Sequence, residues 1–430
     1  MTRNDYYGII FLSVGTSATG SRLYFFKGMK KMTNIAILGF GVVGGGVAEL
    51  LTKNRENVNK LGGEEINIKY ILDLRDFPDS PFADRVIHDY NLIISDPDVD
   101  CVIEVMGGSH PAYEYTVAAL KAGKSVITSN KEVVANYGDE FLDLAEKHGV
   151  CYRFEAAVGG GIPVISPMIS FIGQNKIREV RGILNGTTNY ILTKMFSYGA
   201  SFDESLKDAQ GKGYAERNPD SDVLGVDACR KITILTALVT GRLLPTASVH
   251  TEGITAIRKE DVAAAERIGM SIKLLGRCIL RDDGVQVMVA PFMLSADSPL
   301  STVSGVYNAV EVVADPLGNV MFYGQGAGAG ATASAVVGDL MQIMRTGRNY
   351  AEPSWTKTDE SLLDFSDFRT RHYIALSDVS VDEIESEFGE IEIICRDDEI
   401  EFVTASYSEA EILEKIARIG ATVKSRIRLL

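Results

Sequence analysis

The sequence predicts an α/β protein with a parallel nucleotide-binding sheet at its front, and three observations predict it. Ile35-Ala36-Ile37-Leu38 is a short continuous apolar run, the composition of a strand buried on both faces. It leads straight into Gly39-Phe40-Gly41-Val42-Val43-Gly44, a G-x-G-x-x-G, and then into Val47, Leu50 and Leu51 at helix spacing. Strand and helix patterns then alternate, with apolar runs at 66–72, 101–106 and 125–128. Together these describe a Rossmann-type domain.

Each part of the first motif has a physical task. Gly39 permits the tight turn, Gly41 lets the backbone approach a pyrophosphate, and Gly44 lets the helix lie close to the strand. The helix start, including Phe40, Val42 and Val43, offers free N–H groups to phosphate oxygens. The second strand ends at Asp73-Leu74-Arg75-Asp76. A carboxylate there suits the ribose hydroxyl of NAD, and Arg75 suits the extra phosphate of NADP. Both are present, so the cofactor is written NAD(P). Ligands of open α/β sheets bind beyond the carboxyl ends of the strands. Gly107, Ser129, Asn130 and Lys131 occupy such ends and are expected to line the cofactor crevice.

Composition bounds the rest. At roughly 150 residues per domain, 430 residues allow about three domains. The 43 basic and 58 acidic residues give a net charge of −15, which argues against nucleic acid or an anionic membrane as partner. The 46% hydrophobic and 23% charged shares are those of a globular chain. Five scattered cysteines without a C-x-x-C argue against a disulfide framework or structural zinc and fit a reducing, cytoplasmic setting. No apolar run reaches the roughly 20 residues that span a bilayer. Residues 1–31 read as an unstructured or artefactual extension. Their apolar core is too short for a signal peptide, and Asp5 cancels Arg3.

The middle of the chain carries the chemistry. Ala156-Ala157-Val158-Gly159-Gly160-Gly161-Ile162-Pro163 is a tight turn. Its carbonyls, with Glu155, suit either a hard cation or a plain domain crossover. Gly182-Ile183-Leu184-Asn185-Gly186-Thr187-Thr188 opens a helix and offers hydroxyls and amides to a small polar ligand. A further helix is expected from about Leu224 through Leu238. On it Asp227 and Lys231 lie within about 80° of Leu224, Ile234, Leu235 and Leu238, inside the apolar stripe. A charged pair aimed at a core is costly unless hydrogen-bonded. A dehydrogenase needs a group to exchange the hydroxyl proton, and a buried lysine of lowered pKa serves. Lys231 and Lys131 are the candidates. Glu216, Asp222 and Asp227 suit a substrate carrying an ammonium group. The five histidines are isolated and are expected at surface or core positions.

These segments, with SNKEVVA, EAAVGGGIPVI, GYAERNPDSDVLGVDACRKITIL and MFYGQGAGAGATASAVVGDL, resemble homoserine dehydrogenase over about 33–345. The resemblance implies reversible NAD(P)-dependent oxidation of L-homoserine to L-aspartate 4-semialdehyde, in threonine and methionine biosynthesis. It implies Lys231 as proton donor, with Lys131 also catalytic near the nicotinamide. It places Glu216 and Asp227 on homoserine, with Asp222 and Thr187 close by. It implies a sodium ion held by Glu155, Val158, Gly160 and Ile162, mostly through carbonyls, and Gly326 returning to the cofactor. It implies a homodimer. One departure is Arg217-Asn218, where the family commonly has a small residue and an Asp, and altered loop packing is expected there.

The expected organisation follows. Residues 32–155 plus about 320–345 form the Rossmann domain. An α+β catalytic and dimerisation domain spans 156–319, a polar irregular linker 346–371, and a small tail 372–430. The tail reads as strands at 373–376, 391–395, 400–405 and 423–427 with helices at 381–388 and 408–419, a βαββαβ ferredoxin-like order resembling an ACT domain. Such tails in this family are associated with feedback, typically by threonine. Ser377-Asp378-Val379-Ser380 lacks the family's Asp-x-Pro-Gly, and the connection between the second and third strands is short. The tail is therefore expected to be a degenerate, structural module. Two rivals stand beside the main reading. An aspartate-semialdehyde dehydrogenase needs an accessible cysteine nucleophile, which neither Cys229 nor Cys101 fits. A non-catalytic amino-acid-binding regulator predicts missing lysines, yet both are present.

Overall fold

The computed structural model describes residues 32–347 and 353–430. The expectation for residues 1–31 lies outside them. A six-stranded sheet comprises β1 (Met32–Leu38), β2 (Glu65–Leu72), β3 (Val86–Ile87), β4 (Cys101–Glu104), β5 (Ser125–Thr128) and β6 (Tyr152–Arg153). All pairings are parallel, in the order β3-β2-β1-β4-β5-β6. This is the doubly wound order, with its switch point between β1 and β4. Side chains alternate across β1. Ala36 and Leu38 enter one apolar cluster, and Ile35 and Ile37 the other. Helix Ala329–Thr346 adds Ala333, Val336, Val337 and Leu340 to the second cluster, so the chain returns to this domain late. The return starts after Gln325 rather than near 320, because Gly318–Gln325 is a strand of the other sheet.

That second sheet has ten strands. Its centre is the antiparallel hairpin Met270–Arg281 and Gly284–Ser295. Lys176–Ile183 pairs with Met270–Arg281 on one side and with Tyr307–Asp315 on the other. Helix Val226–Thr240 lies against this sheet. At Gly276 an added Cβ would stand 3.0 Å from Ile232 on that helix and 2.8 Å from Leu184. The helix starts at Val226, not Leu224. A short helix Asp220–Val223 precedes it, and Gly225 at φ 83° reverses the chain between them. Leu224 is accordingly 46% exposed and outside the apolar stripe.

The segment expected as a polar, irregular linker is irregular, and its described residues from 353 on are packed. Trp355 is buried, its ring 5.2 Å from Phe154. Thr356–Lys357 pairs with Arg242–Leu243. Phe368 is buried, and Phe365 stacks on His250 at 3.4 Å. These aromatic side chains hold the strap down, and they follow no helix or strand period.

The tail runs His372–Ser377, Val381–Phe388, Glu392–Arg396, Ile400–Val403, Glu409–Ile419 and Thr422–Leu429, with a two-residue strand Tyr407–Ser408 inserted. Its four main strands stand in the order last, first, third, second, all antiparallel. Both helices open on capping boxes, Ser380 with Glu383 and Ser408 with Glu411. The last strand also pairs in parallel with Gly284–Ser295, through Phe292 with Arg428 and Met293 with Leu429. The tail sheet is therefore continuous with the central one.

Candidate active site

The carboxyl ends of the parallel strands face a cavity of about 620 Å³. Of the predicted residues, Val43, Ser129, Lys131, Gly160, Thr187, Asp222, Asp227, Lys231 and Gly326 line it. Two domains thus supply one wall each, with the return at Gly326 closing it.

The cavity centres on Asp227, 3% exposed. Its Oδ2 accepts from Lys231 Nζ at 2.7 Å, and its Oδ1 lies 2.8 Å from Lys131 Nζ. One carboxylate joins two ammonium groups from different domains. Helix phase puts Asp227 and Lys231 on neighbouring turns of Val226–Thr240. Lys131 opens helix Lys131–His148, whose N-cap is Asn130. Asn130 accepts from Glu132 N and Val133 N and donates to Gly108 O at 2.7 Å. Its side chain is therefore committed to placing Lys131 and does not line the cavity. Lys231 also donates to Leu184 O at 2.7 Å. An ammonium has three N–H groups, so one is left for a ligand among the described residues.

Electrostatics separates the two lysines. Burial, with the Lys131 cation beside it, lowers the Lys231 pKa despite Asp227. Burial also opposes charge on Lys131, but Asp227 outweighs it and the pKa is raised. For Asp227, burial is overridden by the two cations, and its carboxyl stays ionised well below the usual range. Asp222 is pushed up, chiefly by burial. Two lysines and two carboxylates are thereby pushed apart, the pattern of acid–base sites.

Asn185, expected only as part of a turn offering amides to a ligand, is tied to both carboxylates. It caps helix Gly186–Tyr198 through Thr188 N at 2.8 Å, and its amide donates to Asp222 at 2.7 Å and Asp227 at 2.9 Å. The Asn-Gly-Thr-Thr run carried the cap signal but not the two carboxylates. Thr187 donates to Tyr214 O at 2.7 Å, fixing the facing loop. Glu216, on that loop, is exposed and lies outside the cavity wall.

On the nucleotide side, Gly39 holds φ 93° and a Cβ on Gly44 would sit 2.0 Å from Gly39 O. A Cβ on Gly41 would meet nothing within 4 Å, leaving open space beside the turn. Val42, at the helix start, is 74% exposed. Asp73 accepts from Phe40 N at 2.8 Å. It also accepts from Arg75 Nε at 3.0 Å and Nη2 at 3.1 Å, and this guanidinium holds its carboxyl down at about 2. Arg75 and Gly107 stand outside the central cavity. Glu104, at the end of β4, also went unnoticed in the sequence. It is fully buried, accepts from Met106 N and Thr128 Oγ1, and burial pushes its pKa up to about 7.

The glycine turn after Glu155 is largely buried. Glu155 is not free to ligate through its carboxylate, which accepts from Val164 N, Ile165 N and Ser166 N at 2.7–2.8 Å and caps helix Ile165–Ile172. The carbonyls of Val158, Gly160 and Ile162 accept no backbone hydrogen bond among the described residues. Among those residues no group of three or more His, Cys, Asp or Glu side chains is placed to hold a metal, and no helix is long and apolar enough to cross a membrane.

Residues 163–341 match the family model for homoserine dehydrogenase, and 39–155 the model for the homoserine dehydrogenase NAD binding domain. A homoserine dehydrogenase from Synechocystis sp. is 44% identical, covering 72% of this chain and 73% of its own. One from Bacillus subtilis is 38% identical over 78% and 79%. The crystal structure of a homoserine dehydrogenase from Thiobacillus denitrificans matches with a TM-score of 0.85 and 33% identity over 94% of this chain and 99% of that one. A hyperthermophilic archaeal homoserine dehydrogenase in complex with NADPH matches with 0.62 and 27% identity over 72% and 97%. Sequence and fold converge, and the chain belongs to the homoserine dehydrogenase family of NAD(P)-dependent oxidoreductases.

Proposed function

We propose that this enzyme interconverts L-homoserine and L-aspartate 4-semialdehyde with Lys231 as the proton-exchanging group. The carrying observation is the Lys131–Asp227–Lys231 bridge across the cavity. The bound nicotinamide supplies the hydride acceptor. In the oxidative direction neutral Lys231 takes the proton of the substrate hydroxyl as the carbonyl forms, and in reverse the ammonium returns it. Asp227 and Asp222 hold the substrate ammonium, Thr187 shapes that wall, and Lys131 keeps Asp227 ionised. The start of helix Val42–Lys53 receives the cofactor phosphates, with Ser129 and Gly326 beside the nicotinamide. Glu216 reaches the substrate only with a rearrangement of its loop. The test is the appearance of reduced nicotinamide when purified protein meets L-homoserine with NAD⁺ or NADP⁺. No turnover with either would overturn the proposal.

Four finer readings go with it. A sodium ion suits the buried turn through the carbonyls of Val158, Gly160 and Ile162, where it would fix the crossover between the domains. A homodimer suits the edge strand Gly318–Gln325, which leaves Met321 39% and Tyr323 52% exposed. The tail suits a structural, ACT-like role. Asp378 occupies the left-handed backbone region, at φ 63°, in the loop where a glycine would admit a ligand. A cytoplasmic location suits five scattered cysteines without a C-x-x-C.

A further inference from the structure

The tail reaches the cavity wall through one side chain. Arg428 is 1% exposed on the last strand. Its Nη1 and Nη2 each lie 2.7 Å from a carboxylate oxygen of Glu252, a two-pronged pair. Its Nε donates to Glu409 at 2.6 Å. Strand His250–Thr251, which leads into Glu252, and the end of the last strand share one edge of Gly284–Ser295, at Met288–Val289 and Phe292–Met293 respectively. Glu252 is thus clamped from the tail, and also by His250 at 2.6 Å.

Beyond Glu252 the chain touches the backbone of the substrate wall. A Cβ on Gly253 would lie 2.0 Å from Val223 O and 2.6 Å from Leu224 Cα, so the two segments are in direct backbone contact. Ile254 N donates to Val223 O at 2.8 Å. Gly225 lies on the other side, where a Cβ would be 3.2 Å from Glu252 O. Val223 follows Asp222, and Gly225 starts the helix carrying Asp227. The segment 252–254 is therefore the rear support of both carboxylates.

We infer that Arg428 is a positioning residue for substrate binding: it fixes Glu252, and through the 252–254 backbone it sets Asp222 and Asp227. The tail thereby completes the substrate wall from behind, whether or not it binds an effector. This rests on the reading of Asp222 and Asp227 as the substrate side.

The test is steady-state kinetics of the full chain. Truncation at Arg428 leaves no bare charge, since Glu252 keeps His250 and Glu409 keeps Arg426 and His372. Arg428→Gln is expected to raise KM for homoserine by about 2- to 30-fold, the range for residues coupled to a site through packed networks. KM for the nucleotide should not change. Arg428→Lys, which keeps the charge but loses the fork, is expected to fall between, and it provides the reading if Arg428→Gln does not fold. Arg267→Gln cuts another tail contact, to Glu401, and should leave KM for homoserine as it is. Unchanged KM for homoserine in the Arg428 variants would overturn the inference. So would a parallel rise for the nucleotide, or an equal rise in Arg267→Gln. Failure of the site reading shows differently, as an Asp222→Asn variant that keeps its KM for homoserine.

Discussion

Replacing Asp227 by Asn removes the one negative charge between two cations. The contacts are 2.7 Å to Lys231 and 2.8 Å to Lys131. At an effective dielectric of about 20, each contact is about 6 kcal/mol of bare attraction. Relaxation reduces this, and losing one member of a buried pair costs about 3–5 kcal/mol. Lys131, with a side chain 38% exposed, can turn to water. Lys231, at 8%, cannot, so it gives up its proton. Asp227 is the chief group that raises the Lys231 pKa against burial and Lys131, with Asp222 adding to it. Its loss must therefore lower that pKa further. Homoserine oxidation needs the neutral amine, so the acidic limb of kcat/KM should move to lower pH. KM for homoserine should also rise, by about 10- to 150-fold for a lost charged hydrogen bond. The assay is initial-rate oxidation across pH, with nucleotide binding as control. An acidic limb that stays in place or moves upward would refute the reasoning.

Further outcomes follow from other residues. Asn185→Ala removes a helix cap worth about 1 kcal/mol and the amide shared by Asp222 and Asp227, so thermal unfolding should show lower stability and kinetics a higher KM for homoserine. Glu104 is raised from 4.5 to about 7 in the folded state. Its contribution is full below about pH 4.5 and is lost as pH rises to about 7, amounting to about 3 kcal/mol. Glu104→Gln should thus gain stability relative to the parent between these pH values, and a gap that does not change with pH would count against this. Millimolar threonine should leave activity unchanged, and strong inhibition would refute the structural reading of the tail.

Much of this was legible because the signals were local. The run at 35–38 and the spacing of Gly39, Gly41 and Gly44 each act within one or two turns. Asp227 and Lys231 were legible because four residues on a helix fix their relative direction. Asn185 and the Leu184 carbonyl were not, since their partners come from other elements. Leu224 was misphased by Gly225, whose left-handed turn resets the helix. The packing of the segment over 353–371 was not legible because Trp355, Phe365 and Phe368 are anchors without a period. Glu104 was invisible because its burial comes from neighbouring strands.

The most direct test of the central claim is Lys231→Met. Asp227 keeps Lys131 and Asn185 in this variant, so no bare carboxylate remains. Loss of a general acid–base group is expected to lower kcat for homoserine oxidation by about 10²- to 10⁴-fold, with nucleotide affinity unchanged. A kcat within about tenfold of the parent would contradict the claim, because that is smaller than the loss of such a group produces.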